Sequence, residues 1–498
     1  MGIIARQSAK SSLVSLVSSL VGVVATLFIY TLDLDAYGFS QILLAASILL
    51  APFASLGLSG VIIRFYPEYG KTESERASFF SFLLLGTAIG SLSLVVAYYL
   101  VGVPVLRGLS APDNDFAFYV TYAAPILWLT VLQLFAGTVE TYTMNFHRIT
   151  VQTVATTLLP KFVLPAIILL YRYYAWSYAE LAVALIAMRA AVLLLLLLYL
   201  QHIGELRLTT RIGGIVRGPA FRRLLNYAAY GIVGAIGGKI ALQIDTVSLG
   251  AYVSNEEVGV YQIIVFAASV ITIPYYALTR ISSPILTRAI DAGDFGEVGE
   301  IYQRSSLLLG FLGLLVFTGI SVSLEDIFAI TGKEAAFAGG VVAFLLVGLS
   351  KLFDLVGSVN GQIISFSHLY RYNPLLIVLL ALLNIGLNAY FIAYLGWGIV
   401  GAAAATMLAL GLFNVVKTIL IYVKLGLQPL LPQLIWPVLL SVGLILFWFR
   451  FPLAFSPLVN IGIRSVLTGA VFLAYGAGTS HLPEFRTYLR SFTDRFSG

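Results

Sequence analysis

Cysteine is absent from all 498 residues, which excludes a disulfide, a thiol nucleophile and a cysteine metal site. Charge is scarce as well: Asp, Glu, Lys and Arg make up 10% of the chain, against about 25% in ordinary soluble domains. The four histidines, His147, His202, His368 and His481, are scattered without metal-ligand spacing, and no nucleophile with a histidine base can be assembled from local motifs. GKT at 70–72 lacks the earlier glycine that a phosphate-binding loop requires, because Phe65 stands there. ATP hydrolysis is therefore not expected. What fills the chain instead is apolar: 59% of residues are hydrophobic and the mean hydropathy is +0.96.

That balance belongs to a membrane protein. With about 20 apolar residues per spanning helix, about fourteen spans fit, starting near Leu13, Gln41, Phe79, Phe118, Val151, Leu181, Tyr227, Val258, Ser305, Val341, Pro374, Ile399, Leu431 and Ile461. The first run follows Arg6 and Lys10 as a signal peptide would, but it is long enough to span, has no clear small-residue cleavage site and precedes many similar helices. It reads as the first span. Of the 29 basic residues, nineteen fall in alternate loops and the two ends, among them Arg64, Arg76, Arg207, Arg211 and Arg223; five lie in the opposite loops: Arg107, Arg172, Lys333, Arg450 and Arg464. Basic residues collect on the cytoplasmic side, so both termini are expected there. The basic pI near 9.2 is then topology, not nucleic-acid binding.

The chain also repeats itself. Gly38 and Gln41 meet Gly259 and Gln262 at an offset of 221, as His147 and Trp176 meet His368 and Trp397. Ala45, Ala46, Ser47 and Pro52 meet Ala267, Ala268, Ser269 and Pro274 at 222, and Leu83 to Gly86 meets Leu307 to Gly310 at 224, setting Arg64 over Arg288. An offset that spans six helices returns the second copy to the same side, so the copies are parallel repeats. The expected organisation is an all-α polytopic protein with two six-helix lobes, 1–201 and 226–425, around a cavity. A basic linker at 202–225 joins them. Two further helices at 426–480 and a cytoplasmic tail at 481–498 follow. The linker suits either the cytoplasmic surface or an ordinary basic loop.

Five basic residues fall inside spans, namely Lys161, Arg189, Lys239, Lys351 and Lys417, with the acids Glu140, Asp245 and Asp354. Each costs roughly 2.5–3.5 kcal/mol at a helix centre, so such residues face a cavity or a partner. Lys417 sits near the inner end of its helix, where it can snorkel. Lys351 and Asp354 are three apart and can neutralise each other. Lys239 and Asp245, six apart in KIALQIDTVSLG, point to different faces and need other partners. Glu140 lies toward the inner third of its span. Lys161 stands between Pro160 and Pro165, which break the helix ladder. The repeat duplicates glycine, glutamine and proline but not these charges: the counterpart of Lys161 is Asn384 and that of Lys239 is Ser18. Lys161, Arg189, Lys239 and Lys351, two from each lobe, are candidates to hold one phosphate or pyrophosphate. Tyr275 and Tyr276 follow the Pro274 bend, placed to stack on sugars or to mark the interface.

LDLDAYGFSQILL, GLSGVIIRFYPEYG and QIDTVSLGAYVSNEEVGVYQ resemble the polysaccharide transporters, or oligosaccharide flippases, of the multidrug/oligosaccharidyl-lipid/polysaccharide exporter superfamily, and the likeness covers nearly the whole chain. It implies a flippase that turns a polyprenyl-diphosphate-linked oligosaccharide, of the undecaprenyl-diphosphate type, to the outer leaflet by alternating access. The expected setting is surface polysaccharide (O-antigen-type) assembly in the inner membrane, beside other glycan-assembly proteins, as a monomer without a cofactor. Asp245 matches the family's seventh-span aspartate, and Arg64 its basic residue at the end of the second span. With Tyr275 for sugars and the four cations for diphosphate, Asp245, Asp354 and Glu140 are then candidates to couple H+ or Na+. The lipid II flippase branch matches less well, because residues 11–30 carry no cation. Drug exporters of the superfamily are the nearest alternative, with about twelve spans. A glycan polymerase or ligase would need a large outer loop, and the longest here, about 101–115, is short.

Overall fold

The computed structural model describes residues 3–112, 114–146, 149–218 and 221–479. His147 and the tail with Arg486, Arg490 and Arg495 lie outside the described residues. All regular structure among the described residues is helical. In chain order the helices that matter below are α1 (Ile3–Phe28), α2 (Leu34–Ala54), α3 (Leu58–Tyr69), α4 (Glu73–Ala97), α5 (Ala123–Met144), α6 (Leu159–Tyr174), α7 (Tyr178–His202) and α8 (Phe221–Tyr252). They continue with α9 (Asn255–Ser269), α10 (Ile273–Asp291), α11 (Phe295–Thr331), α12 (Gly340–Gly357), α13 (Asn373–Asn388), α14 (Gly398–Leu425), α15 (Ile435–Arg450) and α16 (Pro457–Gly478).

Local chemistry sets where these helices begin and end. Thr72 Oγ1 accepts from the Glu75 amide at 3.2 Å while Glu75 Oε2 accepts from the Thr72 amide at 2.9 Å, a capping box that opens α4. Ser177 and Glu180 open α7 the same way, and Asp33 caps α2 through the Ala36 amide at 3.0 Å. Gly332 and Gly426 close α11 and α14 at φ 65° and 72°, where a side chain would be strained. A π-helical turn at Val154–Leu158 precedes α6, just where Pro160 and Pro165 withdraw backbone donors.

Twelve helices among the described residues are long and apolar enough to cross a membrane. The expected count of about fourteen also took in α1, whose apolar stretch Val17–Leu32 is shorter, and α8, which at 32 residues is long enough but more polar; neither belongs to those twelve. Each of the fourteen expected starts falls in or just before one of these helical segments. The repeat is visible in the breaks. Pro52 lies at the end of α2 before the kink into α3, and its counterpart Pro274 opens α10 after a 3-10 turn.

The chain forms two compact units, 1–259 and 260–498. In the first, α2 is the central helix, 67% buried over its apolar window, with α5, α7 and α8 packed around it. Its apolar core gathers Val61, Ile62, Phe65, Phe79, Phe80 and Tyr142. In the second, α11 takes that place at 61% buried, while α15 and α16, at 17% and 22%, present mostly apolar outer faces suited to lipid.

Candidate functional site

The break between α2 and α3 makes room. Pro52 ends the regular ladder of α2, Ser55 turns back to bond the Pro52 carbonyl at 2.9 Å, and Gly57 at φ 66° redirects the chain into α3. Beside that turn lies a cavity of about 240 Å³ within the first unit, lined by α2, α3, α4, α5 and α8. Its wall is half polar in character: Ser55, Ser59, Gln133, Thr141 and the Thr87 and Thr138 hydroxyls, which bond each other at 2.9 Å. Two charged side chains face it, Glu140 from α5 and Lys239 from α8.

Those two were read from sequence as candidates for different roles, and the structure brings them to one cavity. Glu140 is half-buried and accepts from the Thr156 hydroxyl at 3.2 Å. Lys239 is exposed to the cavity and makes no hydrogen bond or ion pair among the described residues. An ammonium with three unused donors beside polar hydroxyls is built to receive an anion or a polarised oxygen.

The other cations of the first unit do not join it. Lys161 is half-buried in a separate cleft of about 440 Å³ between α1 and α6, lined otherwise by Leu20, Val24, Ile29, Phe162, Pro165 and further apolar residues. Arg189 lies on α7 with its Nε buried and without a hydrogen-bond partner among the described residues. Arg64 is on the exposed face of α3. Asp245 sits half-buried on α8, about a turn and a half beyond Lys239, and lines neither cavity.

In the second unit Asp354, Lys417 and Arg464 are knitted into the packing, and Lys351 is not. Asp354 Oδ1 accepts from Asn414 Nδ2 at 2.8 Å, and Asn414 Oδ1 accepts from Asn360 Nδ2 at 3.0 Å, joining α12 to α14. Lys351 is half-buried and forms no ion pair with Asp354, so the mutual neutralisation that their spacing allows is not made. Tyr275 on α10 is half-buried and within electrostatic reach of Asp354. Lys417, expected to snorkel, instead lies over the Phe413 ring at 4.5 Å and within electrostatic reach of Asp354.

Sequence reasoning missed the most buried ion pair of this unit. Arg464 on α16 donates to Asp326 Oδ2 at 2.8 Å and to the Val322 carbonyl at 2.6 Å, and Asn460 donates to Asp326 Oδ1 at 2.8 Å. Arg464 had been counted with the outer loops, although its i−4 relation to Asn460 already set two polar side chains on one face of an apolar helix.

Comparison with known proteins places this architecture. No family model matches the chain. Two relatives from Haloferax volcanii do: the probable low-salt glycan biosynthesis flippase Agl15, 26% identical over 204 residues, and the probable flippase AglR, 25% identical over 198 residues. The matched stretch is 40% and 39% of this chain and only 42% and 40% of those relatives, so it spans about two fifths of each. Among solved structures, the lipid II flippase MurJ in an inward closed conformation superposes with a TM-score of 0.71 at 14% identity, covering 94% of this chain and 98% of MurJ. An inward-facing multidrug resistance MATE family transporter of the MOP superfamily gives 0.60 at 11% identity over 88% of this chain and 96% of that one. The fold is the one shared by MurJ and the MATE transporter, and the likeness to relatives named as flippases agrees with the resemblance carried by the residues. The lipid II branch, set apart on the missing first-helix cation, shares the fold all the same.

Proposed function

We propose that the protein is a flippase that carries a polyprenyl-diphosphate-linked oligosaccharide across the membrane by alternating access. The observation that carries this reading is Lys239, a cation with no hydrogen bond or ion pair among the described residues, facing a polar cavity inside a helical membrane fold. Placing such a residue on a spanning helix costs roughly 2.5–3.5 kcal/mol, and an anionic headgroup is the ligand that recovers it. Relatives named as flippases favour a lipid-borne cargo over a soluble one.

In this reading Lys239 binds the diphosphate first. Arg189, Lys161 and Lys351 meet it at other stages of the cycle, Arg64 draws it in from the surface, and Tyr275 stacks on sugar. Glu140, Asp245 and Asp354 are the carboxylates available to an H+ or Na+ that drives the cycle. Glu140 shares the cavity with Lys239, so occupancy of the cavity by a cation and by the anionic headgroup would be electrostatically linked. The protein acts as a monomer in the inner membrane with both termini cytoplasmic, supplying surface polysaccharide assembly of the O-antigen type.

A second reading, a cation-coupled multidrug exporter, is favoured by the MATE-like fold and by Glu140, which suits a cationic drug. The test is reconstitution in proteoliposomes with a short fluorescent polyprenyl-diphosphate oligosaccharide and, separately, a cationic dye. Flipping of the lipid-linked sugar that falls at least about tenfold in Lys239→Ala supports the first reading, a loss equivalent to roughly 1.4 kcal/mol. Dye export by the wild type, with no flipping, supports the second.

A further inference from the structure

The cleft between α1 and α6 lies within the first unit and is separate from the cavity that Lys239 faces. It measures about 440 Å³, and Lys161 is the one charged residue among the described residues that line it. Lys161 stands at one end. The rest of the wall is apolar, from Leu20 to Ile29 along α1 and from Phe162 to Leu169 along α6. At about 1.5 Å of rise per residue, those stretches make a slot roughly 12 Å long. Ala25 and the Pro165 ring are buried at its floor, while Leu20, Val24 and Phe162 stay 59%, 54% and 52% exposed at its mouth.

Local chemistry makes one end of the slot polar. Pro165 has no amide to give the Lys161 carbonyl four residues back, and the π-helical turn Val154–Leu158 loosens the ladder just before it. Ser18 Oγ donates to the Thr157 carbonyl at 3.4 Å, which ties α1 to that turn next to the lysine. A cation at one end and hydrocarbon walls along the rest match an amphiphile with an anionic group and an apolar chain.

Depth decides which amphiphile. Lys161 is the twelfth of the 25 residues of the spanning segment Thr150–Tyr174, near the middle of the apolar layer. A resident phospholipid keeps its phosphate at the membrane surface and brings only its chain ends to that depth. An anionic group arrives there only on a lipid that is being carried across. We propose that the α1–α6 cleft is a chain-binding subsite, in which the first isoprene units of the carrier lie between α1 and α6 while the diphosphate meets Lys161 midway through its crossing. This rests on the flippase reading above and adds a seat for hydrocarbon, which the polar cavity beside Lys239 does not offer. Apolar chain next to the headgroup then stays out of water at that stage.

The test is binding by the full chain in phosphatidylcholine nanodiscs of three probes that divide the ligand. Geranylgeranyl diphosphate has chain and charge, inorganic pyrophosphate has the charge alone, and geranylgeraniol has the chain alone. Ala166→Trp fills the cleft from an exposed position of α6, so it should weaken geranylgeranyl diphosphate about tenfold and leave pyrophosphate unchanged. Lys161→Ala should weaken geranylgeranyl diphosphate by a similar factor and leave geranylgeraniol unchanged. Leu170→Trp, exposed on α6 but outside the cleft lining, should match the wild type. Wild-type affinity for geranylgeranyl diphosphate in Ala166→Trp overturns the proposal. So does phosphatidylglycerol that displaces the probe as well as unlabelled geranylgeranyl diphosphate does, because the occupant is then a bilayer lipid. If Ala166→Trp does not fold, Val24→Trp, which fills the same cleft from α1, decides on the same terms. A wild type that shows this binding pattern but flips no lipid-linked sugar refutes the transport reading and leaves the subsite standing. Flipping by the wild type, with binding unmoved by either tryptophan, refutes the subsite alone.

Discussion

The two compact units differ in how most of their intramembrane charges are held, although each keeps one lysine without a hydrogen bond or ion pair among the described residues, Lys239 in the first and Lys351 in the second. In the second, Asp354 is held by Asn414 and Asn360, Lys417 rests on Phe413 beside it, and Arg464 is locked between Asp326 and the Val322 carbonyl. In the first, among the described residues, Lys239 faces a cavity without a hydrogen bond or ion pair and the Glu140 carboxylate has a single hydroxyl; a buried Nε without a partner occurs in both units, at Arg189 and at Arg464. A charge with its hydrogen bonds made can be explained as architecture. A charge kept in a membrane helix with its bonds unmade has no structural return for its cost, and Lys239, which also faces a polar cavity, is on that ground the residue on which the proposed ligand chemistry rests.

This contrast can be broken by substitution, and the expected effects are graded. The largest effect on stability belongs to the second unit. Arg464→Ala leaves Asp326 buried beside Asn460 with its countercharge gone, a loss of about 3–5 kcal/mol that a thermal unfolding curve of the detergent-solubilised protein will show as a lower midpoint. Asn414→Ala should follow, at about 1–3 kcal/mol, because it strands Asp354 Oδ1 and Asn360 Nδ2 together. Glu140→Gln, in the first unit, keeps the shape and the Thr156 contact; it should barely move the unfolding midpoint while removing any dependence of transport on a proton or sodium gradient that runs through this carboxylate. The smallest effect is reserved for Arg207→Ala at the exposed Arg207–Glu73 pair, under about 1 kcal/mol by the same unfolding measurement. A first-unit substitution at Lys239 or Glu140 that proved as destabilising as Arg464→Ala would erase the distinction.

Much of the fold was legible because apolar run length is a direct consequence of bilayer thickness: twelve of the described helices are long and apolar enough to span, against about fourteen read from the sequence. The breaks at Pro52 and Pro274 were legible too, since proline acts locally. The site was read only in part. Lys239 and Glu140 stood out as intramembrane charges, but nothing in their 99-residue separation says that α5 and α8 close on one cavity. Lys161 and Lys239 were grouped by charge alone, and the structure sets them in different clefts. Arg464 with Asp326 escaped because a residue near a helix end reads as interfacial until its partner, 138 positions away, is known. The same holds for Lys417, whose neighbour Asp354 is on another helix. Pairing across helices is a tertiary fact, and hydropathy carries no record of it.

The reading of the first unit turns on one comparison. Flipping of a polyprenyl-diphosphate oligosaccharide should be measured in proteoliposomes for the wild type, Lys239→Ala and Lys239→Arg, with unfolding midpoints recorded for all three. The account predicts flipping by the wild type, a loss of at least about tenfold in the alanine variant, partial retention in arginine and near-equal midpoints. Undiminished flipping by a well-folded Lys239→Ala would contradict it.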